Sequence, residues 1–325
     1  MNKSSLLAFL FALASVGAAA QDATQTEGES TLKIEDAVDK KNEVPGDIDV
    51  EITNARMRAE SGSQSKWSLS TKVSYTGGAV SRPFGTNRPN LSAEPGIQTE
   101  TSADFALDAR YRWTKNDSVT VGTSFGMMTP FQGDVSDNEN QVNVFDPGIA
   151  YNRVGKMGPL QTNGSIGVYV GTSNESKDID RQAQPYVSYT FLKSFQNGLT
   201  TGLSFSGAYN VYSTDPGEAE AAQYNAPEFY GGDKRTGWNF GIYPFAEYAF
   251  NDTFGLRTVF GYFNWRHPYG DDNTFRLLQT YVYQSVGVGI SVTRNIYLYP
   301  NVQFVPDNIR SDFTNVALSA TINVF

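Results

Sequence analysis

The chain has 325 residues, with 25 Lys and Arg against 34 Asp and Glu for a net charge of -9, no cysteine and one histidine. An acidic surplus argues against a nucleic-acid partner, which needs a basic face. Without cysteine the fold must rest on burial and backbone pairing, and with one histidine neither a transition-metal site nor a cofactor is expected.

Residues 1–20 read as a secretory signal: Lys3 opens it, Leu6 to Val16 is apolar, and Ala18-Ala19-Ala20 precedes Gln21. The apolar run is shorter than the roughly 18–20 residues of a spanning helix. From Asp22 to Glu60 there are 11 acidic and 5 basic residues and few aromatics. Residues 21–63 are therefore expected to form an acidic, weakly ordered leader, with a plug inside the following domain as the alternative. Asp49 to Glu60 can form a short helix, ended by Ser61-Gly62-Ser63.

From residue 64 to 325 the chain alternates apolar and polar residues. Trp67, Leu69, Thr71, Val73 and Tyr75 share one parity, and Ser68, Ser70, Lys72 and Ser74 take the other. A strand sends successive side chains to opposite faces, so one face meets an apolar medium and the other meets water. The same alternation marks Ala103–Trp113, Val119–Met127, Phe145–Tyr151, Ile166–Thr172, Ala183–Phe191, Leu199–Val211 and Trp238–Phe250. It continues through Phe254–Tyr262, Leu278–Val292, Ile296–Phe304 and Thr314–Val324, which makes about twelve strands.

Short links at 115–117, 155–159, 193–198, 251–253 and 293–295 alternate with mostly longer, polar ones at 77–102, 129–141, 173–181, 213–235 and 267–274. Trp67, Tyr111, Trp113, Tyr151, Phe191, Tyr248, Phe250 and Phe254 gather beside the short links, where an apolar ring beside a polar edge suits a membrane interface. A β-sandwich accounts for the alternation but not for these two features. The expected fold is all-β, a closed antiparallel up-and-down transmembrane barrel.

In this pattern residues 67–325 resemble the Gram-negative outer-membrane β-barrel proteins. The resemblance implies contact with outer-membrane lipids and lipopolysaccharide, both termini in the periplasm, and a terminal aromatic, Phe325, read by the barrel-assembly machinery. One feature departs from that family: Asn323, Thr321 and Ser319 share parity with Phe325, while the apolar Val324, Ile322, Ala320 and Leu318 take the other face.

Continuing the alternation gives an inner wall rich in Ser, Thr, Asn and Gly. Its charges are Lys72, Asp104, Asp108, Arg110, Arg112, Asp146, Glu247 and Arg257, candidates for setting ion selectivity or for pairing structurally. Glu247 and Arg257 are equidistant from the 251–253 turn and should face each other. Tyr243, Phe245, Phe263, Trp265, Tyr281, Tyr283, Tyr297 and Tyr299 are expected to form one inward aromatic wall. It serves either as a stacking surface for flat ligands or as cover for cross-strand glycines, with Phe263 over Gly241, Tyr243 over Gly261 and Tyr299 over Gly289.

Catalysis is not expected. His267 in Trp265-Arg266-His267-Pro268-Tyr269 lacks both the His-x-Ser arrangement of barrel phospholipases and the Asp two residues earlier of barrel proteases. Loop acids Asp134, Asp137, Glu139, Asp178 and Asp180 read as solvated, with weak binding of Ca²⁺ or Mg²⁺ the alternative. The expected function is a channel for ions and small hydrophilic solutes. The alternative is a non-conducting adhesin or receptor acting through its long loops. On this reading, removing residues 22–60 should leave ion selectivity nearly unchanged.

Overall fold

The computed structural model describes residues 48–132, 142–214, 235–271, 273 and 275–324. Among them, twelve strands close an antiparallel ring. They are β1 (Trp67–Ala79), β2 (Ser102–Arg112), β3 (Asp117–Met128), β4 (Gly148–Met157), β5 (Leu160–Val170) and β6 (Arg181–Ser194). The second half comprises β7 (Leu199–Tyr209), β8 (Thr236–Ala249), β9 (Phe254–Val259, resuming at Phe263–Pro268), β10 (Gln284–Thr293), β11 (Ile296–Phe304) and β12 (Asn315–Asn323). Each strand pairs with its neighbours in sequence, and β1 closes on β12 in the register Lys72↔Thr321 and Ser74↔Ser319. Closure leaves no unpaired edge, as a hydrocarbon surround requires.

The outer face is apolar. Leu107, Val121, Ile149, Ile166, Val187, Leu256 and Val288 all stand exposed on it, Val121 at 53%. No water-soluble barrel gains from such a belt; it is the surface a bilayer covers. Beside the short turns the belt ends in an aromatic rim, with Trp67 on Tyr111 at 4.6 Å, Trp113 on Tyr151 at 5.9 Å and Tyr248 on Phe250 at 5.5 Å between ring centroids.

Two stretches depart from simple alternation. β4 runs on to Met157 and β5 starts at Leu160, so Gly158-Pro159 alone makes the turn, with Gly158 at φ 60°. Polar Asn152, Gln161 and Asn163 disguise these ends, and Val154 points an apolar group inward. β9 carries the larger departure. Phe245 pairs with Val259, but Ile242 pairs with Phe263, so one extra residue bulges out at 260–262. A one-residue shift exchanges the two faces beyond it. Phe263 and Trp265 therefore lie outside with Ile242 and Phe240, contrary to the inward placement expected from unbroken alternation. Trp265 stacks on Phe240 at 4.9 Å, and Tyr262 takes the inward place instead.

The signal sequence, the leader before Ile48, the acids Asp134, Asp137 and Glu139, and Phe325 lie outside the described residues. The β12 parity is as read: Asn323 is buried inside, and Val324 is exposed.

An arginine on the belt near mid-strand, Val121→Arg or Val288→Arg, should cost about 2–4 kcal/mol of folding free energy in lipid vesicles. Ser124→Arg on the inner face of β3 should cost far less. Urea titration of refolded variants checks the difference, and equal costs would show the faces to be assigned wrongly.

Candidate functional site

Ile48 to Ser63 do not lie loose beneath the ring, as a weakly ordered leader would. They sit within the lumen at the short-turn end, where the alternative of a plug had placed them. A single helical turn at Ile48–Val50 leads to α1 (Ala55–Glu60), whose first turn is capped by Asn54: its side chain accepts the Met57 amide at 2.9 Å. Ser61 ends α1, and Gly62 follows at φ 85°, a conformation that glycine adopts without penalty. Gly62 has a second constraint, because a Cβ there would strike the Arg110 guanidinium.

The plug is held first by burial. Ile48, Ile52 and Met57 are enclosed with Val154, Leu192, Phe245 and Val259, apolar residues that point inward from β4, β6, β8 and β9. Burying a side chain of this size contributes about 1.5–3 kcal/mol. On the far side, Ala59 packs against Tyr297 and Tyr299.

Charge pairing is the second hold. Glu247 and Arg257 face each other as expected, with Nε to Oε1 at 3.2 Å, but the pair is not closed on itself. Arg56 of α1 reaches the same Oε1 at 2.7 Å, and Asn54 donates to Oε2 at 2.6 Å. Both guanidiniums lie over aromatic rings, Arg56 at 4.8 Å from the Phe245 centroid and Arg257 at 4.6 Å from that of Tyr299. Asp49 forks onto Arg294 at 2.8 and 2.9 Å, and Glu51 pairs with Lys115. The Lys115 hydrogen bond lowers the Glu51 carboxyl below its ordinary range, despite partial burial.

The remaining expected charges divide. Arg110 donates to the carbonyl oxygens of Ser61 and Glu60, and Arg112 to those of Ser61, Ser63 and Lys115. Lys72 and Asp108 stand 3.8 Å apart farther up the wall, and Asp104 accepts from Ser74 and Ser102 instead of joining them. The Lys72 side chain keeps 54% of its exposure although it points into the lumen. Space for water therefore remains above the plug. Asp146 lies outside the strands at the long-loop end, where it accepts from the Thr172 and Ser173 amides and the Ser176 hydroxyl and pairs with Arg181 at 3.2 Å. It organises a loop helix, α2 (Asn174–Asp178).

The expected aromatic wall separates into parts. Phe245, Tyr297 and Tyr299 are buried against the plug. Tyr243, Tyr262 and Tyr283 form a stack higher in the lumen, with Tyr262 on Tyr283 at 4.4 Å. Tyr281 is half exposed, and its amide donates to Ser92 of the first long loop. The glycine partners also differ from those counted: Tyr243 covers Gly241, Phe263 covers Gly261 and Tyr297 covers Gly289. Across the lumen, Tyr169 stacks on Tyr186 at 4.8 Å, an inward pair the alternation of β5 and β6 could have revealed.

The first long loop narrows the other mouth. Arg88 donates to Gln303 at 3.1 Å and Asn315 to the Pro89 carbonyl at 2.8 Å, both from the inner wall, while Leu91 and Ala93 are buried. His267 stacks on Trp238 at 5.5 Å and its Nε2 contacts the Asn273 carbonyl at 3.1 Å. Asp180 faces Arg235 at 3.4 Å. Among the described residues no group of acids and histidines is arranged to hold a metal ion.

A closed ring with a lipid-facing belt and a polar interior is an outer-membrane type of β-barrel. No family model matches the chain, and no curated protein matches it. Among solved structures it is similar to an outer-membrane channel from Pseudomonas putida F1, with a TM-score of 0.49 and 10% identity over 81% of this chain and 97% of that one. It is also similar to the NanC porin, with a TM-score of 0.40 and 9% identity over 78% and 97% of the two chains. Salmonella typhi OmpF follows at 0.35 and 8% over 79% and 97%. At such identities no residue role passes from those proteins to this chain.

Two outcomes test the site. Glu247→Ala strands Arg257 and leaves Arg56 with Glu60 alone, at 2.9 Å, so stability in vesicles should fall by about 3–5 kcal/mol; a loss near zero would mean the plug is not anchored there. Asp146 tests the loop end by pH. Burial favours its neutral form, but the hydrogen bonds from Ser176, Ser173 and Thr172 outweigh that and hold it down to about 2. Its folded value lies below the unfolded one, so its stabilisation is complete above about pH 4 and lost as pH falls toward 2. Amide exchange at Thr172 and Ser173 should accelerate across that window, and Asp146→Asn should abolish the dependence.

Proposed function

We propose that the protein is an outer-membrane channel for ions and small hydrophilic solutes, closed at its short-turn mouth by its own residues 48–63. The observation that carries this reading is the inner wall itself. From β3 to β7 it presents Ser124, Ser165, Gly167, Ser188, Ser204 and Ser206, none of them fully buried, opposite the exposed Lys72. Eight strands are filled by their own side chains and sixteen leave an open pore. Twelve strands lined by residues this small leave room for water, which the plug occupies at one end only.

Among the described residues His267 is engaged by Trp238 and by the Asn273 carbonyl. The orientation that fits the alternation of links puts the short turns and the plug in the periplasm, and the long loops outside. Lipopolysaccharide and the barrel-assembly machinery are the partners that this location implies.

Because α1 lies within the lumen, removing residues 22–60 should alter conduction, unlike the neutral outcome expected for a loose leader. In planar bilayers the intact protein should conduct weakly. Ile52→Asp, which places a charge in the apolar cluster under the plug, should raise conductance severalfold or lengthen open times. A protein that stays silent both intact and after removal of residues 22–63, while folded by circular dichroism, would replace the channel with the loop-binding reading.

A further inference from the structure

The wall behind the plug is more basic than its task of holding a peptide requires. Arg110, Arg112 and Arg294 converge from β2 and the β10–β11 turn on three consecutive residues of the plug, donating to the carbonyl oxygens of Ser61, Gly62 and Ser63. Arg110 and Arg112 are 6% and 2% exposed, and each has an Nε that finds no partner among the described residues. Among the described residues, Arg294 is the one of the three with a full carboxylate at hydrogen-bond distance, that of Asp49. Lys115, at the next turn of the rim, is met by Glu51.

Guanidinium cations gathered on one short segment repel one another. Carbonyl dipoles offset that repulsion less well than an anion. An arginine fork matches the two oxygens of a carboxylate or phosphate, and burial strengthens the pairing. The carbonyl oxygens of residues 61–63 occupy the positions that the oxygens of a bound oxyanion would take, while Asp49 and Glu51 supply the negative charge from the same segment.

We infer that Arg110, Arg112 and Arg294, with Lys115 at the rim, form an oxyanion site in the channel wall for which the plug is the resident competitor. This rests on the channel reading and gives it a direction. With the plug displaced, the short-turn mouth becomes a basic constriction that attracts carboxylate- or phosphate-bearing solutes and disfavours cations. The plug then acts as gate and counter-ion together: the segment that closes the mouth also neutralises its charge.

The experiment uses the chain lacking residues 48–63 and, in parallel, full-length Ile52→Asp, each in a planar bilayer across a tenfold KCl gradient. The reversal potential should show chloride preferred over potassium several-fold. Citrate and inorganic phosphate, added separately at millimolar concentration, should each block the current, and whichever blocks at lower concentration identifies the better oxyanion. Arg110→Gln, Arg112→Gln and Arg294→Gln should each move the reversal potential toward zero and raise the blocking concentration at least tenfold. Lys115→Gln, at the exposed rim, gives the same sign in a position that folding tolerates, and Arg310→Gln on the opposite mouth should change neither reading. A cation-selective current, or one indifferent to these substitutions, overturns the oxyanion site and leaves the channel standing. Absence of current in every folded variant overturns the channel, and the site with it.

Discussion

A bilayer core offers no partner to an unpaired backbone amide, and that constraint governs the whole molecule. It forces the sheet to close, and closure between β1 and β12 fixes which residues face lipid. Once the ring is closed at twelve strands, the opposite problem appears inside. The inner face is polar and must stay hydrated or be packed, yet Ser, Gly and Thr are too small to meet across the barrel. The chain answers differently at each mouth. At the short-turn end it inserts its own α1 and the residues before it. At the long-loop end it lays Arg88 to Ala93 across the opening, tied to Gln303 and Asn315 on the inner wall.

The two closures are not alike in chemistry. The plug combines an enclosed apolar cluster around Ile52 and Met57 with three ion pairs to the wall. The loop is held by hydrogen bonds, one from the Arg88 guanidinium and one from the Asn315 amide, with Leu91 and Ala93 buried and no ion pair to the wall among the described residues. A hydrogen bond between neutral groups contributes about 0.5–1.5 kcal/mol and one from a charged group about 1.5–3, because water competes for the same donors and acceptors. The loop closure is thus the one solvent can replace most readily, and the plug is the closure whose removal exposes new charge. Glu247 joins the two problems. It pairs with Arg257 across neighbouring strands, as the distance from the turn dictates, and the same carboxylate receives Arg56 from the plug.

Much of the wall was legible because a strand's faces follow parity, and parity survives in a single sequence. The lipid-facing belt, the aromatic rim and the Glu247–Arg257 register all come from it. It fails at β9 for a physical reason: the bulge at 260–262 adds a residue without adding a turn signal, so Phe263 and Trp265 exchange faces with Tyr262. The plug stood second to a loose leader for another reason. Its acidic composition is that of a weakly ordered tail, and Ile48, Ile52 and Met57 look isolated within it. Their partners are scattered over four strands, as Val154, Leu192, Phe245 and Val259. Each of those is an apolar residue on the polar face, so it resembles a lapse in the alternation. Read together, four lapses on the inner face near the short turns are the signature of something apolar lodged against them.

That signature also explains why the charges could not be assigned from the wall alone. Arg110 and Arg112 share the parity of Asp104 and Asp108, which invites pairing along β2, yet residues on one strand two apart stand about 7 Å from each other and diverge with the twist of the sheet. Their groups turn instead toward the short-turn mouth, where the plug offers carbonyls within reach, while Asp108 turns to Lys72 on β1. A basic group deep in a lumen must find either water or an acceptor, and the plug removes the water. The segment that excludes solvent from the arginines must therefore also satisfy them. A peptide backbone does this with carbonyls and leaves two Nε atoms without a partner. The fit of wall to plug is good in shape and incomplete in charge, which is what allows a smaller, more strongly charged occupant to take its place.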